Sequence, residues 1–342
     1  MTRRVLITGG CGFIGSNLAR ESIEKGYELC LVDDLSRLGS KANLEWLRNA
    51  GQFDFHRVDI TERDSVTRII REFRPSLVFH LAGQVAMTTS LENPLRDFEV
   101  NVAGTIYVLE ALRKYQPDAI VLFSSTNKVY GDLEHIRYKD TALRYVAPEF
   151  PDGFDESLGL DFRSPYGCSK GAADQYVLEY ARSFGLRGLV FRHSSIFGLR
   201  QFSTVDQGWI GWFISEALRI RAQTGRGDIR IAGDGKQVRD VLFSQDLVEC
   251  YFAAARCIER TAGKTYNIGG GMRNSLSLLE LFRILQDMLR ITINVDKGPW
   301  RAHDQKLFVA DCRRAREDFG WHPSISKEEG LLKMTEWMQS RL

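Results

Sequence analysis

No stretch of the 342-residue chain approaches the ~18 consecutive apolar residues that a membrane-spanning helix requires. Its six cysteines show neither CxxC spacing nor a paired framework, which points to reduced thiols and away from a structural zinc site. No metal is expected. Charge of one sign is missing as well: 46 Lys+Arg against 44 Asp+Glu leave +2, too balanced for a nucleic-acid or anionic-membrane partner. The densest basic cluster, Arg313-Arg314-Ala315-Arg316, is followed at once by Glu317 and Asp318 and reads as a solvated helix face. Only three apolar residues separate Arg4 from Thr8, so no secretory leader is expected and the cytoplasm is the expected compartment. Repeats and low-complexity segments are also lacking. What remains is length enough for one large α/β domain and a smaller lobe.

The most informative segment is Thr8-Gly9-Gly10-Cys11-Gly12-Phe13-Ile14-Gly15, set between an apolar run, Val5-Leu6-Ile7, and a helical pattern over 16–25. In such a turn Gly9 permits the tight reversal, Gly12 lets a pyrophosphate approach the backbone, and Gly15 lets the helix pack close to the sheet. The helix N-terminus then faces the negative charge. A second apolar run, 29–32, ends in Asp33, where a carboxylate accepts from adenosine ribose hydroxyls. Phe13, Ile14, Asp34 and Ser36 are candidate contacts beside these. Asp33 would repel a 2′-phosphate, so NAD is expected over NADP. Arg37 is near enough to accommodate that phosphate and keeps NADP as the alternative.

Apolar runs ending at Phe79, Phe123 and Phe191 alternate with helical stretches such as 65–73 and 102–113. The alternation predicts right-handed βαβ crossovers and a Rossmann-type, doubly wound parallel sheet covered on both faces. Residues 1–197 with about 238–262 are read as the dinucleotide-binding domain. Residues of about 198–237 with 263–342 are read as a C-terminal substrate lobe whose Trp209, Trp212 and Phe213 belong to its core. The polar segment 131–165 is long for a connection and is expected to cover a site.

Tyr166-Gly167-Cys168-Ser169-Lys170 opens a helical stretch and places a phenol and an ammonium on one face. A phenol with pKa ~10 is a weak base at neutral pH. A neighbouring Lys⁺ and a positive nicotinamide ring are expected to favour phenolate and equip Tyr166 as general base. A hydroxyl from Ser124-Ser125-Thr126, at the end of the 120–123 run, is the expected third member.

With these features in place, the chain resembles the extended short-chain dehydrogenases/reductases, specifically their nucleotide-sugar epimerases and dehydratases. The resemblance spans nearly the whole length. Besides the glycine fingerprint and Tyr166/Lys170 it includes His80-Leu81-Ala82, Asn101, Val129-Tyr130-Gly131, Arg239-Asp240 and Arg301 to Asp304. It implies Thr126 as the catalytic hydroxyl, Asp59 and Ile60 at the adenine, and Leu81, Ala82, Gln84, Asn101 and His193 as further cofactor contacts. On the substrate side it implies Thr126, Asn127 and the diphosphate-binding arginines Arg239 and Arg301, with Arg200 as a further candidate. Dehydratases of the family carry Thr-Asp-Glu where this chain has Thr126-Asn127-Lys128, and neither an amide nor a lysine replaces that acid and base. The segments 84–90, 125–132 and 192–195 resemble the branch that inverts C2 of CDP-linked hexoses. A UDP-sugar 4-epimerase is the alternative within the enzymes, and a non-catalytic dinucleotide sensor the alternative outside them. Relatives pair through the helices after Asn101 and Tyr166, which implies a homo-oligomer, dimer or tetramer.

Overall fold

The computed structural model describes residues 3–204, 207–301 and 304–341. Seven parallel strands form the main sheet, in the order Thr265–Ile268, Arg187–His193, Ile120–Thr126, Leu77–His80, Arg4–Thr8, Glu28–Val32, Asp54–His56. Side chains alternate between its faces, as a strand's period of two demands. Val5, Ile7, Leu29, Leu31, Leu77 and Phe79 enter one apolar layer, beneath the helices Phe13–Glu24 and Ser244–Arg256. Leu6, Cys30, Val32, Val78, Val121 and Phe123 enter the opposite layer, beneath Arg63–Phe73, Gly104–Tyr115 and Ser164–Phe184. This is the doubly wound sheet expected from the alternating pattern. Strand order reverses between Arg4–Thr8 and Leu77–His80, so a crevice opens at their carboxyl ends.

The lobe has its own core. Val238–Phe243 pairs in parallel with Ser195–Phe197 and Leu307–Phe308, and antiparallel with Ser275–Ser277. Arg226–Ala232 pairs with Thr292–Gly298 over seven residues. The helices Trp209–Gln223, Leu278–Leu289 and Lys327–Gln339 pack with these strands around Ile214, Phe282, Leu285 and Met334. Phe213 meets Phe282 edge-on at 5.0 Å, while Trp209 and Trp212 lie against the same cluster.

The expected domain limits require two corrections. Thr265–Ile268 pairs with Arg187–His193 as the outermost strand of the main sheet, and Ala315, Phe319 and Trp321 join the core beneath it, so neither segment belongs to the lobe. Val238–Phe243, assigned to the first domain, is a lobe strand; the helix that follows it is the part that returns to the main sheet. Hydrophobic pattern sees both segments as buried and does not say in which core.

The 131–165 segment is fastened rather than loose. Phe154 is fully buried and exchanges backbone hydrogen bonds with Val309 and Asp311, while Arg144 holds Glu280 and Ser275 of the lobe.

At the switch point lies His80, fully buried. Thr105 Oγ1 donates to the Asn101 carbonyl (2.6 Å), so it accepts from His80 Nε2–H (3.0 Å). Nδ1 is then the acceptor, taking the Thr8 hydroxyl at 2.7 Å, while Thr8 Oγ1 accepts the Leu81 and Ala82 amides. Burial, aided by the nearby Lys170 charge, depresses the imidazole to about 3. An unfolded histidine titrates near ~6.5, so below that pH the unfolded chain binds the extra proton and stability falls. The contribution from His80 is expected to reach about 2 kcal/mol at pH 5. Unfolding free energies measured from pH 7 to 5 should therefore decline less steeply in His80→Gln than in the parent; equal slopes would contradict this wiring.

Candidate active site

The glycine turn has the geometry its residues suggest. Gly9 adopts φ +70, and a Cβ there would lie 2.8 Å from the Ala82 amide nitrogen. At Gly15 a Cβ would lie 2.0 Å from the Gly9 carbonyl oxygen, so only glycine lets the helix sit this close. Gly12 precedes Phe13–Glu24 without a side-chain cap, leaving the first helical N–H groups directed outward. Asp33 accepts from the Cys11 amide (2.9 Å) and the Leu35 amide (2.8 Å), tying the end of one strand to the turn after another. Burial raises its pKa, and these backbone donors oppose the rise.

Around this turn lies a cleft of about 490 Å³. Of the expected cofactor contacts, Gly9, Gly12, Phe13, Ile14, Gly15, Asp33, Asp34, Ser36, Arg37, Asp59, Ile60, Leu81, Ala82 and Gln84 line it. Asp34 holds Ser36 through its amide and hydroxyl, and Asp59 holds Thr61 and pairs with Arg96. The uncapped helix end, the close approach at Gly12 and the Asp33 carboxylate fit a dinucleotide, with NAD favoured by the acid.

Asn101 and His193, also expected as cofactor contacts, are held by hydrogen bonds beside the cleft. Asn101 sits on a π-helical turn, Glu99–Ala103, and is buried. Its amide binds the Gln84 backbone on both sides and donates to Ser169 (2.9 Å), so it locks the cleft wall to the Ser164–Phe184 helix. The His193 side chain bridges Ser124 (3.2 Å) and the Tyr251 hydroxyl (3.4 Å), and burial depresses it to about 3. Both act behind the lining.

Tyr166, Lys170 and Thr126 converge at the end of the Ile120–Thr126 strand. The Tyr166 hydroxyl is within hydrogen-bond reach of Thr126, and Lys170 Nζ donates to the Ser124 carbonyl. Lys170 Nζ also sits 4.3 Å from the Phe123 ring centroid. Ser164, just before Tyr166, has φ +65, and its Oγ accepts the Gly167 amide, while Ser90 Oγ accepts the Tyr166 amide. A non-glycine residue in the left-handed region at the head of this helix is local strain that surrounding contacts hold in place. Ser125 points to the other face and donates to Asp174 (2.9 Å), which removes it from the chemistry.

Burial shifts both charges of the pair. Burial pushes Tyr166 up to about 12; the Thr126 hydrogen bond lowers it and Asp97 raises it further. Burial likewise drives Lys170 down to about 8, against the pull of Asp174 and Asp97. Burial is the leading cause of both shifts and favours the neutral form of each group. A fixed positive charge beside the phenol, such as an oxidised nicotinamide ring, would lower it again.

The substrate arginines separate. Arg239 is mostly buried and gives Nη2 to Asp304 at 2.7 Å, with Lys128 Nζ 4.0 Å from the same carboxylate. Arg301 is exposed on the segment before Asp304. Arg200 faces the dinucleotide cleft, with its guanidinium on Asn43 (2.9 Å) and the Ala42 carbonyl (2.8 Å), so it stands on the cofactor side. Asn127 Nδ2 donates to the buried Gln305 (3.1 Å), which donates to the Gly131 carbonyl. Sequence reading missed Asp174 and Gln305. Asp174 had a signal, lying eight residues after Tyr166 on the same helical face; Gln305 had none. Among the described residues, no group of three or more His, Cys, Asp or Glu could hold a metal ion.

A glycine-turned dinucleotide cleft with Thr, Tyr and Lys at one strand end defines an extended short-chain dehydrogenase/reductase. The profile described as GDP-mannose 4,6 dehydratase matches residues 6–334, and the chain belongs to that family. It is 50% identical to CDP-paratose 2-epimerase of Salmonella typhi over 337 residues, 98% of this chain and 99% of that one. The crystal structure of UDP-glucose 4-epimerase with UDP-glucose from Thermotoga maritima superposes with a TM-score of 0.83 at 30% identity, covering 98% of this chain and 99% of that one. UDP-glucose 4-epimerase of Thermus thermophilus, solved in complex with NAD, gives 0.80 at 26% identity, covering 99% and 100%.

Replacing Tyr166 with Phe removes the phenol that meets Thr126 while keeping the ring's packing. Turnover is expected to fall at least ~10²-fold with dinucleotide binding retained, the range ascribed to one general base. Turnover on a nucleotide sugar, measured beside the absorbance of co-purified dinucleotide, checks this; near-normal turnover would remove Tyr166 from the chemistry.

Proposed function

We propose that this protein is an NAD-dependent isomerase that inverts C2 of a CDP-linked hexose, with CDP-paratose to CDP-tyvelose as the favoured conversion. The observation that carries the reading is the character of the strand end. Thr126 and Tyr166 converge beside a dinucleotide cleft, and the residue after Thr126 is an amide tied to Gln305 instead of an acid. The half-identity to CDP-paratose 2-epimerase along almost the whole chain supports the same choice.

A carbinol C–H is far too weakly acidic to be inverted by proton removal alone. Bound NAD supplies the acceptor and donor for the C2 hydride. Tyr166 takes the proton of the C2 hydroxyl as the carbonyl forms, and returns it when the opposite face is reduced. Thr126 hydrogen-bonds the reacting oxygen, and Lys170 holds positive charge beside the phenol. One base suffices because the same proton leaves and comes back. Loss of water would need a second acid and base, and Asn127 and Lys128 provide neither in that role.

Arg239 and Arg301 would bind the diphosphate, which tethers the 2-keto sugar while it turns. A cytoplasmic homo-oligomer, paired through Ser164–Phe184, accounts for the exposed Tyr176 and Phe184 on that helix.

The test is NMR of the protein incubated with CDP-paratose or CDP-glucose and NAD⁺ in deuterated water. A C2-inverted product carrying no deuterium at C2 is expected. Inversion at C4 of UDP-glucose alone would move the chemistry to the 4-epimerases, and no product from any nucleotide sugar would favour the dinucleotide sensor.

A further inference from the structure

The outer wall of the dinucleotide cleft does not come from the main sheet. Arg200, Gln201, Phe202, Thr204 and Gln207 line it, opposite the Asp33–Leu38 turn, and all five belong to the connection between the lobe elements Ser195–Phe197 and Trp209–Gln223. Its first half, at Leu199, Arg200 and Phe202, is fastened to the cofactor side. Asn17 donates to the Leu199 carbonyl (3.0 Å), and Arg200 both gives its guanidinium to Asn43 and Ala42 and lies over the Trp46 ring at 4.8 Å. Arg200 holds φ +69, a strained conformation for a side-chain-bearing residue. Thr204 and Gln207 exchange backbone hydrogen bonds.

Phe202 is the wedge. Its ring fills the space that Gly39 leaves by having no side chain: a Cβ there would come within 2.1 Å of the ring. On its other side the ring meets Trp337 edge-on at 5.8 Å and carries the Arg341 guanidinium at 4.5 Å. One phenyl group thus joins the turn beside Asp33 to the final helix of the lobe. Gln201 supplies the second observation. Its Nε2 donates to the Ile196 carbonyl, whereas its Oε1 is buried and has no hydrogen-bond partner among the described residues. A buried acceptor without a donor is costly, and in the wall of a ligand cleft a donor on the ligand satisfies it.

We infer that this connection is a strap that holds the dinucleotide captive, with Gln201 Oε1 accepting from a ligand hydroxyl or amino group and Phe202 keeping the strap closed. The inference rests on the cofactor named above and is independent of which sugar reacts. It suits a reaction that restores NAD⁺ every cycle: exchange gains nothing, and loss of the reduced form in mid-cycle would strand a keto sugar. The lobe that receives the sugar thereby also controls escape of the cofactor.

The test uses the full-length protein and NAD⁺ alone as probe, with association and dissociation rates followed by stopped-flow fluorescence. Phe202→Ala opens the strap and should raise both rates about tenfold or more. Gln201→Leu removes one acceptor and should raise dissociation alone, by about three- to tenfold. Phe202→Leu keeps an apolar wedge and should lie between Phe202→Ala and the parent, which retains a readout if the alanine variant fails to fold. Parental rates in Gln201→Leu and in a folded Phe202 variant would overturn the strap. A parent protein that binds no NAD⁺ would instead overturn the cofactor reading, a distinct failure.

Discussion

Everything at the catalytic end hangs on one buried ion pair. Asp174 and Arg192 lie in the interior, with side chains 1% and 4% exposed, joined by two hydrogen bonds of 2.8 and 3.0 Å. Removing two charges from water is expensive, and such a pair is tolerated only where its remaining hydrogen-bonding capacity is met. Here it is met with few gaps. Asp174 also accepts from Ser125 and Gln175; Arg192 also donates to the Tyr130 hydroxyl, which donates to Asn267, which in turn donates to the Phe154 carbonyl. The chain of bonds joins the Ser164–Phe184 helix to three adjacent strands and to the long 131–165 segment. Tyr166 and Lys170 are the next two positions along the same face of that helix, so their placement against Thr126 follows from this joint. Breaking a buried pair by deleting one partner typically costs ~3–5 kcal/mol and leaves a stranded charge, which would reach the catalytic residues through the helix they share.

The same crowding that fixes Tyr166 and Lys170 also sets their protonation. Desolvation favours the neutral form of each, so it raises the phenol and lowers the ammonium. A cationic ring bound beside this phenol would favour its ionised form, so the group proposed as base would depend on the bound dinucleotide for its charge state.

How far the sequence could be read depended on how local each interaction was. The glycine turn and the Tyr-x-x-x-Lys pair were legible because their geometry is set within eight residues by sterics and helical spacing, and the acid after the second strand because parallel pairing brings that strand end beside the turn. Sheet class was legible too, since apolar runs separated by helical stretches leave few other solutions. What failed were assignments that depend on distant partners. Thr265–Ile268 reads equally well as a strand of either core, and only its pairing with Arg187–His193 decides. Arg200 follows a glycine after the sixth main-sheet strand and resembled a phosphate ligand, but Asn43 and Trp46, more than 150 residues earlier, turn it toward the cofactor cleft. His193 and Asn101 carry polar groups that suit a ligand, and burial directs them into the scaffold.

The two residues after Thr126 show how a catalytic strand end can change its chemistry without changing its fold. Asn127 joins the buried Gln305, and Lys128 approaches Asp304, which also holds Arg239. Two consecutive positions just beyond the main-sheet strand thus meet two consecutive positions of the lobe. These contacts hold the Asp304–Gln305 segment, and through Asp304 the Arg239 guanidinium, in register with the strand end that carries Thr126. Two positions that carry an acid and a base in the Thr-Asp-Glu sequence of dehydratases are spent here on joining the lobe to the sheet.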